Sequence, residues 1–385
     1  MILSNGNQYC HEIFIKQMRI ITIVGARPQF VKAAMVSRAI LNHNRNNDYP
    51  VEECMLHTGQ HYDEIMNAVF FEKMEIPQPL WQLNCGGGSH AEMTAGMLVE
   101  IEKVLQENHP DYVLVYGDTN STLAGALAAT KLHIPVVHVE AGLRSFNRQM
   151  PEEINRVLTD HVSSRLFCPT YAAVGNLKQE GITEGVYHVG DVMYDAAITF
   201  GKIAEQTSTV LSSLRLETKQ FYLCTVHRAE NTDDSERLSQ IIQALIEVAR
   251  PDCPVVLPLH PRTKKYLNIW QLYSKIEHNK AIRLIEPVDY LDMIMLEKQA
   301  KTILTDSGGI QKEAYFHRTP CVTLRDETEW VETITAGWNQ LAGYRKENIL
   351  FCIENKIRQT EIDEYGDGYA ADKIVQTLLS GKKNS

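Results

Sequence analysis

A chain of 385 residues with 44% hydrophobic and 22% charged side chains is a globular protein too long for one ordinary core, so two domains are expected. Its net charge of −10 argues against general nucleic-acid binding, which needs excess Lys and Arg, but leaves room for a small anionic ligand held by a few placed cations. The eight scattered cysteines form no C-x-x-C pair, no apolar run reaches membrane-spanning length and no signal-peptide pattern is present, so a cytoplasmic protein with reduced thiols and no membrane partner is expected.

Residues 1–18 show no clear pattern and read as an N-terminal extension. From Arg19 onward short apolar strands alternate with helical spacing. Ile20–Val24 is a strand, the turn Gly25-Ala26-Arg27-Pro28 follows, and Pro28 suits the first turn of a helix to about Leu41. Strands are expected at Val51–His57, Tyr112–Tyr116, Val136–Val139 and Leu166–Cys168. Helices are expected from about Asp63 and at Ala91–Gln106, Ser121–Leu132, Glu152–Val162 and Ala172–Glu180. Tyr187–Asp191 reads as a hinge and Glu205–Gln220 as a polar connection. A second series of strands begins at Phe221–Val226 and continues at Val255–Leu259, Ile282–Ile285, Thr302–Leu304 and Cys321–Leu324. Strands alternating with helices give parallel sheets covered on both faces, so the fold class is α/β with two Rossmann-like domains, 19–188 and 189–369, and the cleft between them as the site.

The most informative stretch is Thr305-Asp306-Ser307-Gly308-Gly309-Ile310-Gln311-Lys312-Glu313. Strand, Ser-Gly-Gly, then helix outlines an anion site, because glycine lets the backbone approach a ligand and free N–H groups open the helix. An ordinary turn with a Ser cap is an equally good reading of the motif alone. Chemistry-bearing residues collect just after the other strands too. The first half presents Arg27 and Lys32, then Gly117-Asp118-Thr119, Glu140-Ala141-Gly142-Leu143-Arg144, and Pro151-Glu152-Glu153 with Asn155-Arg156. The second presents His227-Arg228, His260-Pro261-Arg262 and Arg325-Asp326. That asymmetry suggests an anionic ligand on the second half, with its reactive end facing acids from the first. Asp118 also suits a helix cap, and Glu152 and Glu153 suit the dipole of a first helical turn. Glu140, ending an apolar strand, needs a partner or a task, and Arg144 is a candidate partner. No G-x-G-x-x-G is present, so no dinucleotide cofactor is expected. His57-x-x-x-His61 has Gly59 between its members and no carboxylate motif beside it, so no metal is expected either.

These motifs, in this order from about Arg19 to the C-terminus and including Thr225-Val226-His227-Arg228 with Glu230-Asn231 and Tyr365-Gly366-Asp367-Gly368, resemble the non-hydrolysing UDP-N-acetylglucosamine 2-epimerases. The resemblance implies a GT-B arrangement, a C-terminal helix (370–382) crossing back to the first domain, a homodimer, no cofactor, and reversible inversion at C2 of a UDP-2-acetamido sugar for surface-polysaccharide synthesis. It implies Asp118, Glu140, Glu152 and His227 as catalytic residues. It implies Arg27, Lys32, Arg156, Ser307, Gly308, Gly309, Glu313 and Arg325 as substrate-binding residues, with the diphosphate on Ser307–Gly309 and the ribose on Glu313. Many members that act on UDP-GlcNAc read Thr-Glu-Arg-Pro-Glu where this chain has Thr328-Glu329-Trp330-Val331-Glu332, and Gln-His-Arg where it has Gln60-His61-Tyr62. The second departure tells against the allosteric activation by substrate of bacterial members, while Gly25-Ala26-Arg27-Pro28-Gln29 with Phe30, Gly117-Asp118-Thr119-Asn120-Ser121-Thr122 and Thr328-Glu329-Trp330-Val331-Glu332 look more like the branch acting on UDP-2,3-diacetamido-2,3-dideoxyglucuronate. The carboxylate of such a sugar needs a further cation, for which Arg144, Arg148 and Arg262 are candidates.

Overall fold

The computed structural model describes residues 17–380, apart from 48, 61–75 and 356. Most of the N-terminal extension and the helix expected from Asp63 lie outside the described residues.

The first sheet contains seven parallel strands: β1 (Met18–Val24), β2 (Val51–His57), β3 (Trp81–Gln82), β4 (Tyr112–Tyr116), β5 (Val136–Val139), β6 (Arg165–Cys168) and β7 (Val186–His188). Their order is β3-β2-β1-β4-β5-β6-β7. The second contains six, β8 (Tyr222–Thr225), β9 (Val255–Pro258), β10 (Ile282–Ile285), β11 (Thr302–Thr305), β12 (Cys321–Thr323) and β13 (Asn339–Leu341), in the order β10-β9-β8-β11-β12-β13. The central strands are almost wholly apolar because helices cover both faces; in β1 every residue but Arg19 is buried.

Each sheet reverses its strand order once, between β1 and β4 and between β8 and β11. Connections diverge at such a point and leave a crevice beyond the carboxyl ends of the strands. The segments that emerge there are Gly25–Pro28 and Gly117–Thr119 in the first lobe, and His227–Arg228 and Asp306–Gly309 in the second. The fold therefore delivers the suspected residues to two facing crevices.

Several elements go beyond the sequence reading. The edge strands β3, β7 and β13 extend the two sheets, β7 running into the segment read as hinge, and the helix Val192–Thr207 lies between that hinge and the polar connection, overlapping the latter only at its end. That helix buries Phe200 in an apolar core that runs without a break from Phe30 of the first lobe to Phe221 and Tyr315 of the second. The C-terminal helix Ala370–Ser380 packs on Arg27–Asn46 and on Val192–Thr207, returning the chain to the first lobe. Among the described residues no helix is long and apolar enough to cross a membrane.

Candidate active site

A cleft of about 430 Å³ lies between the lobes. Arg27, Lys32, Asp118, Glu140, Leu143 and Arg156 line it from the first lobe. Arg228, Tyr290, Glu297, Ser307–Gly309, Lys312, Glu313, Glu329 and Trp330 line it from the second.

The first-lobe wall is fixed by buried hydrogen bonds beneath it. Gln29 accepts from the N–H groups of Gly25 and Ala26 and donates to Tyr116 O, tying the turn after β1 to the end of β4. His138 bridges Asp160 (2.6 Å) and the carbonyl of Gly117 (2.7 Å), which holds the Gly117-Asp118 turn against the helix Pro151–Val162. Asp118 does not cap the following helix. Thr119 does, accepting from Thr122 N–H, and this leaves the Asp118 carboxylate in the cleft, paired with Arg156.

Glu140 leaves β5 with a left-handed backbone, φ +72°, a conformation that disfavours a residue with a Cβ. Its carboxylate is paired with Lys32 and with Lys312 Nζ at 2.7 Å. Burial pushes this carboxyl up, but the two ammonium groups outweigh it and hold Glu140 well below the usual range. Arg144 is not its partner. That guanidinium is buried between Asp160 (2.7 Å) and both oxygens of Glu180 (2.7 Å each), inside the first lobe. Arg262 is bound to Asp233, and neither it nor the exposed Arg148 lines the cleft.

On the second lobe, Ser307 stands at the N-cap of the helix Gly308–Phe316, and its side chain makes no capping bond. The simple Ser-cap reading of the motif therefore fails, and the hydroxyl and the first N–H groups of the helix face the cleft together. A Cβ built on Gly308 would stand 2.5 Å from Glu329 Oε1, so this position has no room for a side chain. Asp306, fully buried, accepts from the N–H groups of His227 and Arg228 and from Asn231, and so fixes the end of β8 against β11. Glu329 is held by Arg325 at 3.0 Å. Burial raises its proton affinity, but Arg325, with Arg156 and Arg228 further off, keeps it below the usual range.

The deep end of the cleft is acidic. Tyr290, Glu313 and Glu297 come together there, Glu297 1% exposed with Oε2 unpartnered. Burial, then the neighbouring Glu313, pushes Glu297 well above the usual carboxylate range, against Arg27. Burial likewise raises Glu313, against Lys312 and Arg27.

Of the catalytic and substrate-binding residues that the resemblance implied, the cleft gathers Arg27, Lys32, Asp118, Glu140, Arg156, Ser307, Gly308, Gly309 and Glu313. Three stand outside its wall. Glu152 sits half-exposed in the first turn of its helix, Arg325 lies buried behind Glu329, and His227 stands beside His260 with ring centroids 5.4 Å apart. Sequence reasoning gave no role to Lys312, Arg228, Tyr290, Glu297 or Glu329. Lys312 did carry a signal, since a cation near the positive end of a helix runs against the dipole and asks for acids nearby. Among the described residues no group of three or more His, Cys, Asp or Glu side chains could hold a metal ion.

The family model described as UDP-N-acetylglucosamine 2-epimerase matches residues 43–379. A Methanococcus maripaludis protein described as a UDP-N-acetylglucosamine 2-epimerase homolog is 54% identical, covering 94% of this chain and 99% of its own. The UDP-2,3-diacetamido-2,3-dideoxy-D-glucuronate 2-epimerase of Pseudomonas aeruginosa is 49% identical, covering 94% and 99%. The crystal structure of Methanocaldococcus jannaschii UDP-GlcNAc 2-epimerase in complex with UDP-GlcNAc and UDP superposes with a TM-score of 0.85 at 46% identity, over 95% of this chain and all of that one.

Proposed function

This chain belongs to the UDP-N-acetylglucosamine 2-epimerase family, and from that membership we propose that its cleft inverts C2 of a UDP-2-acetamido sugar by eliminating UDP and adding it back. The observation that carries the reading is an opposition of charge across one cleft. Asp118 and Glu140 stand on the first lobe, and an uncapped Ser-Gly-Gly helix N-terminus stands on the second. UDP lies on the second lobe in this proposal, with its diphosphate on Ser307, Gly308 and Gly309 and its ribose on Glu313. Arg27 and Lys32 reach the phosphates from the opposite wall.

H2 of the sugar is not adjacent to a carbonyl and is not acidic, so a base alone cannot remove it. Expulsion of UDP breaks the C1–O bond and builds positive charge at C1. A carboxylate takes H2, and the electron pair of the C2–H bond becomes the C1–C2 double bond of a 2-acetamidoglucal. Return of a proton to the opposite face, with UDP rejoining C1, gives the epimer. Electrons balance without an oxidant. Asp118 and Glu140 are the acid/base pair within the cleft. Arg156 orients Asp118, and Arg325 acts through Glu329. Glu152 and His227 are assigned to the same reaction and reach the sugar only when the lobes close further on it. Closure also keeps water from the glucal.

The test is incubation with UDP-GlcNAc, and separately with the diacetamido-uronate nucleotide, in D₂O, followed at C2 by NMR. Deuterium at C2 with the sugar still on UDP, together with the manno isomer, is the expected outcome. Asp118→Asn and Glu140→Gln should each lower the exchange rate roughly 10²–10⁴-fold, the usual scale for a positioned acid or base. Accumulation of free sugar and UDP would make the enzyme a hydrolysing epimerase. Absence of exchange with both nucleotides would defeat the proposal and favour a glycosyltransferase or a nucleotide-sugar sensor.

A further inference from the structure

Glu140 is gripped from both lobes. Lys32, on the helix Arg27–Asn46, pairs with its Oε2 from the first lobe. Lys312, on the helix Gly308–Phe316 of the second lobe, stands 2.7 Å from its Oε1. Lys312 is 2% exposed, and its Nζ is also 2.6 Å from Asp191 Oδ2 and 4.1 Å from the centre of the Trp330 ring. Desolvation and the positive end of its own helix both oppose an ammonium there, so the two acids offset a cost more than they add stability. The other cations of the cleft act elsewhere. Arg156 is paired with Asp118 and Glu153, Arg27 acts on Glu297 and Glu313, and Arg228 acts on Glu329. Lys312 and Lys32 are the cations that act on Glu140. Around Lys312 itself, Asp191 and Glu140 are joined by Glu313 on its own helix and Glu332 on the helix Val331–Thr335. One short helix thus carries the Ser-Gly-Gly turn at its start and, about one turn on, a hold on a carboxylate of the opposite lobe.

We propose that Lys312 is a positioning residue for the reaction at C2: it aims the Glu140 carboxylate, and it makes that aim conditional on the second lobe being docked against the first. This rests on the epimerase reading above. In that reading the diphosphate draws on Lys32, so once UDP is seated Lys312 is the cation left to orient Glu140. The helix that receives the phosphates is then the helix that sets the base, and the carboxylate is in place only where a nucleotide is held. Lys312 exchanges no proton with the sugar. H2 still passes to a carboxylate, and the ammonium acts through Glu140 alone.

The experiment measures C2 deuterium exchange with UDP-GlcNAc and with the diacetamido-uronate nucleotide from about pH 4 to about pH 9, and UDP affinity by calorimetry. Lys312→Met should lower kcat about 10–10²-fold, the scale of a misplaced catalytic group, with KM and UDP affinity within about 3-fold of the parent. The acidic limb of kcat/KM should move to higher pH by roughly one unit or more, because Glu140 loses an opposite charge in contact with it. Lys312→Arg, which keeps the charge, should return that limb toward the parent's. Lys312→Gln, which keeps a donor for Asp191, gives the same readout where the methionine variant does not fold. Asp191→Asn still caps its helix and leaves Lys312 to Glu140, so it should not raise the limb. A limb that stays in place in Lys312→Met and Lys312→Gln, a loss confined to KM, or an equal rise in Asp191→Asn would overturn the assignment while leaving the epimerase intact. Absence of exchange by the parent with both nucleotides would defeat the epimerase reading itself, and this proposal with it.

Discussion

At the scale of single residues, the cleft sets its acids apart by their neighbours. Glu140 is kept charged by two lysines, whereas Glu297 is kept neutral by burial and by Glu313. His317, 3.9 Å from Glu297, offers no charge to compensate. Burial comes first, then Lys298 and Lys219, in pushing its imidazole down to about 3. The folded carboxyl of Glu297 thus titrates above its unfolded value. Stability is unaffected below the unfolded pKa and falls as pH rises toward the folded one, by about 1.4 kcal/mol for each unit of displacement. Glu297→Gln removes that loss. Its melting temperature should match the parent near pH 4 and exceed it at pH 8, by roughly 2 °C per kcal/mol, in paired thermal scans. A gap that does not widen with pH would contradict the neutral assignment. The sequence showed Asp118, Glu140 and the Ser-Gly-Gly turn because each follows a strand. It could not show Glu297 or Tyr290, which come from the helix Tyr290–Gln299 and reach the cleft only because β10 and β11 bring that helix beside it. Nor could it choose Lys32 and Lys312 over Arg144 as partners of Glu140, since the choice depends on where Asp160 and Glu180 sit.

Among the elements, the strands were the most legible, because burial on both faces leaves a continuous apolar run. The exceptions were β3, β7 and β13, edge strands of two or three residues, too short to show any period. The helix Val192–Thr207 was hidden by the Gly190-Asp191 punctuation before it and the polar stretch after it. Its Asp191 is both the N-cap, accepting from Met193 N–H at 2.8 Å, and an acid on Lys312. One turn further, the buried Asp195 accepts from the first N–H groups of the C-terminal helix, Ala370 at 3.2 Å and Ala371 at 2.8 Å. Burial pushes that carboxyl up to about 7. Asp195→Ala strands two buried donors and should cost about 1–3 kcal/mol, read as a lower urea midpoint with faster amide exchange confined to residues 370–380. An unchanged midpoint would mean that the return of this helix to the first lobe is held by its apolar face alone.

For the whole molecule, the two-lobed plan and the returning helix follow from the order of strands and helices, but how closely the lobes meet does not. Trp330 of the second lobe packs among Leu143, Ala141 and Leu166 of the first, and Asn147 donates to Glu327 across the rim at 3.0 Å. Leu143→Ala thins that contact. Amide exchange should rise at Gly117–Asp118 and at Gly308–Ile310, on both walls, and stay slow in β1 and β8. A uniform rise would mean that Leu143 matters to the fold and not to the approach of the lobes. The chain passes between the lobes at Val189–Asp191 and again at Tyr365–Gly366, and the two passages touch. Asp191 N–H donates to Tyr365 O at 2.9 Å, and a Cβ on Gly190 would come within 2.7 Å of that same oxygen. Two segments pressed together this closely make a knuckle, at which a small rotation would swing one wall of the cleft against the other. Because Asp191 sits in the knuckle and also grips Lys312, the wall of the cleft is fastened to the joint between the lobes.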